Sequence, residues 1–288
     1  MESENKITLF SLALPIFIEA ILFIMLGFVD IIILSRISDQ AAGAVGATNQ
    51  IMQFFNIVFA IVSSGTAVLI SQFIGAKEST QAQKTVIVSL SVILIVGALC
   101  SFVLVMWNEA ILGLIGVTEG LMPYGRTYLS IVGGFLFSQG VLNICTVSMR
   151  SYGHAKETLI ITASMNILNI AGDFILGFGL LGLPALGVKG VAIATSFSRL
   201  AATLAALVYV FKRLIPISTI QYLKAFPYKI LVKLLRVGIP SAMENMSYNL
   251  SQLAITSIIL YNLGETMYIT RTYVWTMISI SFIFSISI

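Results

Sequence analysis

The chain has 288 residues, of which 58% are hydrophobic and 10% charged, with a mean hydropathy of +1.00 and a formal net charge of +4. An average soluble domain is about 25% charged. So few charged side chains cannot cover a 31.2 kDa globule, which excludes a soluble enzyme, a nucleic-acid binder and a disordered protein. Lipid is the solvent for most of this surface.

A bilayer core of ~30 Å takes about 20 apolar residues of helix to cross. Apolar runs between polar punctuation predict eight spans: Leu9–Leu34, Gln50–Phe73, Thr85–Trp107, Tyr124–Ser148, Thr158–Leu181, Val188–Phe211, Lys233–Tyr261 and Met267–Ile288. They are too long and continuous for barrel strands. Span 1 follows a short polar start, Met1–Thr8, without a small-residue cleavage pattern, so it reads as a targeting signal that stays in place. Cys100 and Cys145 fall within spans 3 and 4 and read as small buried hydrophobes rather than a disulfide or metal ligands.

Basic residues set the orientation. With the N-terminus cytoplasmic, eleven Lys and Arg residues lie inside and four (Arg36, Arg126, Lys189, Arg271) outside. The stretch from Lys212 to Arg236 holds six basic residues and no acidic one, as expected of a topological anchor against anionic lipid.

Spans 1 and 7 share a pattern. Leu14-Pro15 leads to Glu19, and Ile239-Pro240 leads to Glu244, each Pro four residues before its Glu and the two copies 225 residues apart. Six spans separate them, so the repeat is parallel, about an axis along the membrane normal. A complete chain would be roughly twice that repeat. The sequence therefore reads as a first six-helix lobe over 1–212, a basic cytoplasmic linker over 213–232, and the start of a second lobe over 233–288 that looks cut short at Ile288.

An ionisable group at bilayer depth is a functional hypothesis by default. Five lie inside spans: Glu19, Asp30, Asp173, Arg199 and Glu244. Asn166, Asn169 and Asp173 recur at i, i+3 and i+7, which is one helix face. Depth arithmetic at ~1.5 Å per residue places Asp30, Tyr128, Asn169, Asp173 and Thr195 in one outer-half layer. Two carboxylates, an amide, a phenol and a hydroxyl suit a proton relay or an all-oxygen cation site. Asp30, Asn169 and Asp173 are the candidate ligands if the ion is Na⁺. The competing reading is a structural pair of carboxylates.

Glu19 and Glu244 lie lower and form a symmetry-related pair. Glu19 also reads as a structural link beside Pro15. Span 7 is the most polar, with Asn245, Ser247, Tyr248, Asn249, Ser251 and Gln252 after Glu244. Glu19, Asn166, Glu244, Asn245, Tyr248 and Gln252 are therefore candidate cavity residues. Arg199 reads as a counter-ion or a snorkelling residue, and His154 as a solvated loop residue. The glycines around Gly177-Phe178-Gly179 lie between two spans with no preceding strand, so they do not form a phosphate loop. No metalloprotease or nucleophile-elbow motif occurs, and no soluble motor domain is present.

These residues resemble the multidrug and toxic compound extrusion (MATE) transporters, within the superfamily that includes lipid-linked oligosaccharide flippases. The resemblance covers essentially the whole chain. Its carriers are Leu14-Pro15 and Gly27-Phe28-Val29-Asp30, Ser71-Gln72-Phe73-Ile74-Gly75-Ala76-Lys77, Asn169-Ile170-Ala171-Gly172-Asp173, Gly187-Val188-Lys189-Gly190 through Thr195, and Gly238-Ile239-Pro240-Ser241. It implies an all-α integral membrane protein with two six-helix lobes, exporting organic cations in exchange for H⁺ or Na⁺ and using no other cofactor. It further implies cation coupling at Asp30, Tyr128, Asn169, Asp173 and Thr195, while Glu244 is similar to an acidic residue some members use. The expected state is a monomeric multi-pass protein of the cell membrane. Four acids against one basic residue within the spans favour cationic cargo over the phosphate-bearing cargo of a flippase. An inactive membrane fragment is the third reading.

Overall fold

Ser38 takes an extended backbone, and its hydroxyl accepts from the Gln40 N–H at 3.2 Å. That cap starts the first long helix, Asp39–Gly75. The structure, a computed structural model, describes residues 14–19, 21–22, 32–182, 184–244, 246–248, 250–252, 254–255 and 258. Among these the chain is helical throughout and contains no strand. In order come Asp39–Gly75, Ser79–Met106, Asn108–Leu114, Met122–Gly134, Leu136–Ser151 and Ala155–Gly172, the last continued by a π-turn, Asp173–Gly177. Val188–Tyr209 follows, also continued by a π-turn, Val210–Leu214, then a 3₁₀ segment, Ile217–Ala225, and a helix over 228–244.

Among the described residues four helices are long and apolar enough to cross a membrane, and a bent pair of helices makes five when counted as one span. These correspond to predicted spans 2 to 6. Spans 1 and 7 are described in part, and span 8 lies outside the described residues.

Several boundaries differ from the sequence reading. Span 2 begins at Asp39 rather than Gln50, because Ala41, Ala44 and Thr48 are too small or polar to register as strongly apolar yet are buried. Span 3 breaks at Trp107 into the short Asn108–Leu114 helix. The segment assigned as linker is ordered as the 3₁₀ turn, and the next helix starts by residue 228 rather than at Lys233.

The bundle turns apolar side chains both ways. Phe59, Ile70, Ile93, Leu129 and Ile144 form the core, while Ile95, Leu99, Ile160, Ile167 and Phe197 are exposed, as lipid-facing surfaces require. Small polar groups bind helices across the interior. Thr66 donates to Ser89 at 2.7 Å, with both residues fully buried.

Span 4, expected as one helix, is two helices bent by 46° at Phe135, after Gly133 and Gly134. A bend frees backbone polar groups, and lipid cannot satisfy them. A neighbouring helix serves one of them here: Ser101 accepts from the Phe137 N–H at 3.1 Å. Just past the bend, Thr203 ties the second helix to its neighbour by donating to the Ser138 carbonyl at 3.0 Å. Gly97 admits the approach, since a Cβ there would lie 2.8 Å from the Phe137 Cα. Ser101→Ala is therefore expected to lower stability by about 1–3 kcal/mol, the cost of one unsatisfied buried donor. Equilibrium unfolding in detergent measures it, and a value near zero would mean the N–H finds another acceptor.

The helix over 228–244 crosses the 39–75 helix at a reciprocal glycine contact. A Cβ on Gly65 would overlap the Leu234 carbonyl, and one on Gly238 would overlap the Ile61 carbonyl. Each glycine lies four residues after the residue its opposite number meets, so the two backbones touch directly.

Candidate functional site

The 155–172 helix carries the polar face read from the sequence. Asn166, Asn169 and Asp173 are 4%, 1% and 0% exposed. Ile167 and Leu168, between them in sequence, are exposed. The polar stripe thus faces the bundle and the apolar one faces outward, as helical periodicity demands.

Across the interface, the Asn169 Nδ2 donates to Thr195 Oγ1 at 3.2 Å, and Thr195 donates on to the Val191 carbonyl at 2.9 Å. Close packing brings these groups within reach, since a Cβ on Gly172 would lie 2.7 Å from that of Ala194. Asp173 begins the π-turn, a looser winding found frequently at functional sites. Leu176 and Gly177, near its end, offer their carbonyls to the backbone N–H groups of Leu186 and Gly187 at 3.0 and 3.2 Å. Tyr128, 1% exposed, lies on the 122–134 helix, which packs against the 188–209 helix.

The amide oxygens of Asn166 and Asn169 are buried and meet no donor among the described residues. These two amide oxygens, on the same helix face as a buried carboxylate, are acceptors of the kind a hard cation or a proton takes. Among the described residues, no three His, Cys, Asp or Glu side chains cluster as a metal site. A cation here would rely on amide and hydroxyl oxygens as well as carboxylate. Asp30 lies outside the described residues.

Glu19 forms a different assembly. Thr162 donates to its Oε1 at 3.2 Å, and the Arg150 guanidinium approaches Oε2 at 3.7 Å. One turn further on, Asn166 Nδ2 donates to the Leu22 carbonyl at 3.2 Å. Glu19 thus joins the first span to the 155–172 helix and to the end of the 136–151 helix. Thr162 and Arg150 were missed as partners. Thr162 was discoverable, because it extends the 166, 169, 173 face by one turn, whereas the Arg150 pairing is tertiary and left no local signal.

The remaining candidates are more exposed. Glu244 and Tyr248 are exposed, Gln252 is half-buried, and Asn245 lies outside the described residues. Arg199 is half-buried, with no ion-pair partner among the described residues. His154 is a loop residue with a partly exposed side chain, as expected, and it also has partners. Its Nδ1 is 2.9 Å from the Tyr209 hydroxyl and 3.5 Å from Glu157, with the ring edge-on to Tyr209, so it clasps the turn before span 5 to span 6. Cys100 and Cys145 are free thiols, Cys145 buried.

Comparison with known proteins fits this arrangement. The MatE family model matches residues 15–175. The chain belongs to the MATE family. It is 38% identical over 271 residues to the uncharacterized transporter YisQ of Bacillus subtilis, covering 94% of this chain and 59% of YisQ. It is 27% identical over 261 residues to the probable multidrug resistance protein NorM of Thermotoga maritima, covering 89% of this chain and 55% of NorM. The chain thus spans less than two thirds of these relatives. A MOP superfamily transporter from Pyrococcus furiosus shares the fold, with a TM-score of 0.83 at 22% identity over 97% of this chain and 61% of that one. A MATE protein crystallised in the straight conformation does so with a TM-score of 0.84 at 22% identity, over 97% and 62%. The all-α, multi-pass membrane fold read from the sequence is therefore the MATE fold.

Proposed function

We propose that this MATE chain takes part in exporting organic cations in exchange for H⁺ or Na⁺, with the coupling ion held at Asp30, Tyr128, Asn169, Asp173 and Thr195. The observation that carries the reading is the Asn169–Thr195 hydrogen bond one turn from the fully buried Asp173. Asn169 keeps an acceptor oxygen without a donor there. The sequence separations support including Asp30. The two contacts joining the first span to the fifth bridge residues 143 and 144 apart, and Asp30 and Asp173 are 143 apart.

A carboxylate removed from water is costly until a cation neutralises it. Filling the site therefore favours one packing of the helices over another, and an ion gradient becomes a bias on conformation. In this proposal residues 1–212 form the coupling lobe with the N-terminus cytoplasmic, the basic linker ends where the helix at residue 228 begins rather than at 232, and that helix opens the second lobe. Glu244, Asn245, Tyr248 and Gln252 face the cargo path, and the protein acts as a monomer.

The test is efflux of a cationic dye from cells expressing the gene that encodes this chain, with Na⁺ and proton gradients imposed separately. One gradient is expected to drive efflux and its collapse to stop it. Efflux indifferent to both gradients would overturn the proposal.

A further inference from the structure

The 79–106 and 188–209 helices leave a groove of 290 Å³ between them, floored by the second half of the bent span. Leu94, Val141, Leu204, Phe211, Ile220 and Ser91 are among its lining residues, and Ser91 turns its hydroxyl back to the Ile87 carbonyl at 2.9 Å. The groove is therefore apolar along its length. Along the 188–209 helix and its π-turn it runs from Leu200 to Phe211, about 16 Å at 1.5 Å per residue. That is about half of a ~30 Å hydrocarbon core, the depth of one leaflet.

Arg199 directly precedes Leu200 at one end of it, and two lysines stand at the other. Lys84 is one turn before Ile87, which lines the groove, and its ammonium lies 4.7 Å over the ring of Tyr222, two residues beyond Ile220. Lys212 directly follows Phe211 and is exposed. The stretch that supplies Lys212 and Tyr222, residues 212–236, has no acidic residue.

We propose that this groove is a binding site for an anionic phospholipid, with one acyl chain lying between the two helices and the phosphate held by Lys84 and Lys212. The apolar length fits an acyl chain and the two cations fit a net negative headgroup, so the site discriminates between lipids by charge. Its occupant stitches the 3₁₀ segment and the basic stretch to the bundle, because Ile220 and Tyr222 belong to that segment.

The test is native mass spectrometry of the purified chain titrated with phosphatidylglycerol and phosphatidylethanolamine of the same acyl composition. Two cations near a membrane surface correspond to roughly a ten- to thirtyfold preference for the anionic lipid. Lys84→Gln with Lys212→Gln is expected to reduce that preference to within about twofold, whereas Lys77→Gln with Lys156→Gln, which removes equal charge elsewhere, leaves it intact. Leu204→Trp, at a lipid-facing position that tolerates bulk, fills the groove and weakens both lipids. Equal binding of the two lipids by the unmodified chain, an equal loss in the two double variants, or unchanged binding by Leu204→Trp would each overturn the site.

Discussion

Asp173→Asn is expected to reduce gradient-driven efflux at least tenfold while leaving the fold intact. Asparagine matches aspartate in size and keeps hydrogen-bonding groups, so it preserves a structural role. It cannot carry the negative charge that a proton or Na⁺ neutralises. Asp173 is fully buried on the same face as Asn169, whose Nδ2 is committed to Thr195 while its amide oxygen meets no donor among the described residues. The substitution therefore separates the two readings of the residue. Dye efflux under an imposed gradient, with membrane abundance measured in parallel, decides between them. Efflux within twofold of the unmodified protein at equal abundance would assign Asp173 a packing role only.

The second large effect is expected at the crossing of the 228–244 and 39–75 helices. Gly238→Val places side-chain atoms where the Ile61 carbonyl stands, and Gly65→Val does the same at Leu234. Overpacking costs about 1–3 kcal/mol and occasionally more. The obstacle here is backbone, which cannot swing aside as a side chain can, so the upper part of that range applies. For a chain of this size the melting midpoint should fall by roughly 5–10 °C. Combining the two substitutions should cost less than the sum of the single effects, because both open the same crossing. Thermal unfolding of the three variants in detergent measures this. An unchanged midpoint for Gly238→Val would mean that the two helices are not in backbone contact in the folded protein.

Periodicity explains what could be read in advance. Asn166, Asn169 and Asp173 were legible as one face because helical spacing is local and an intramembrane carboxylate carries a strong signal. Thr195 was placed beside them by depth along antiparallel helices, and the Asn169–Thr195 bond has that origin. The same arithmetic could not see the bend at Phe135. No proline marks it, and it depends on Ser101 and Thr203 arriving from two other helices. Nor could it see the start at Asp39, where the buried residues include Ala41, Ala44 and Thr48, which hydropathy underweights. Glu19 was recognised as a buried acid beside a proline, yet its partners Thr162 and Arg150 come from helices more than a hundred residues away. The Tyr209 partner of His154 left no local signal for the same reason, since the two are 55 residues apart. Chemistry along one helix was readable from the sequence, and chemistry between helices only where depth restricted the choices.

In the proposed mechanism a small cation occupies the buried oxygen cluster around Asp173. Equilibrium binding of ²²Na⁺, together with proton uptake, by the purified protein tests it without requiring transport. The account predicts one saturable cation per chain, lost in Asp173→Asn and retained in Glu244→Gln. Full binding by Asp173→Asn would contradict it.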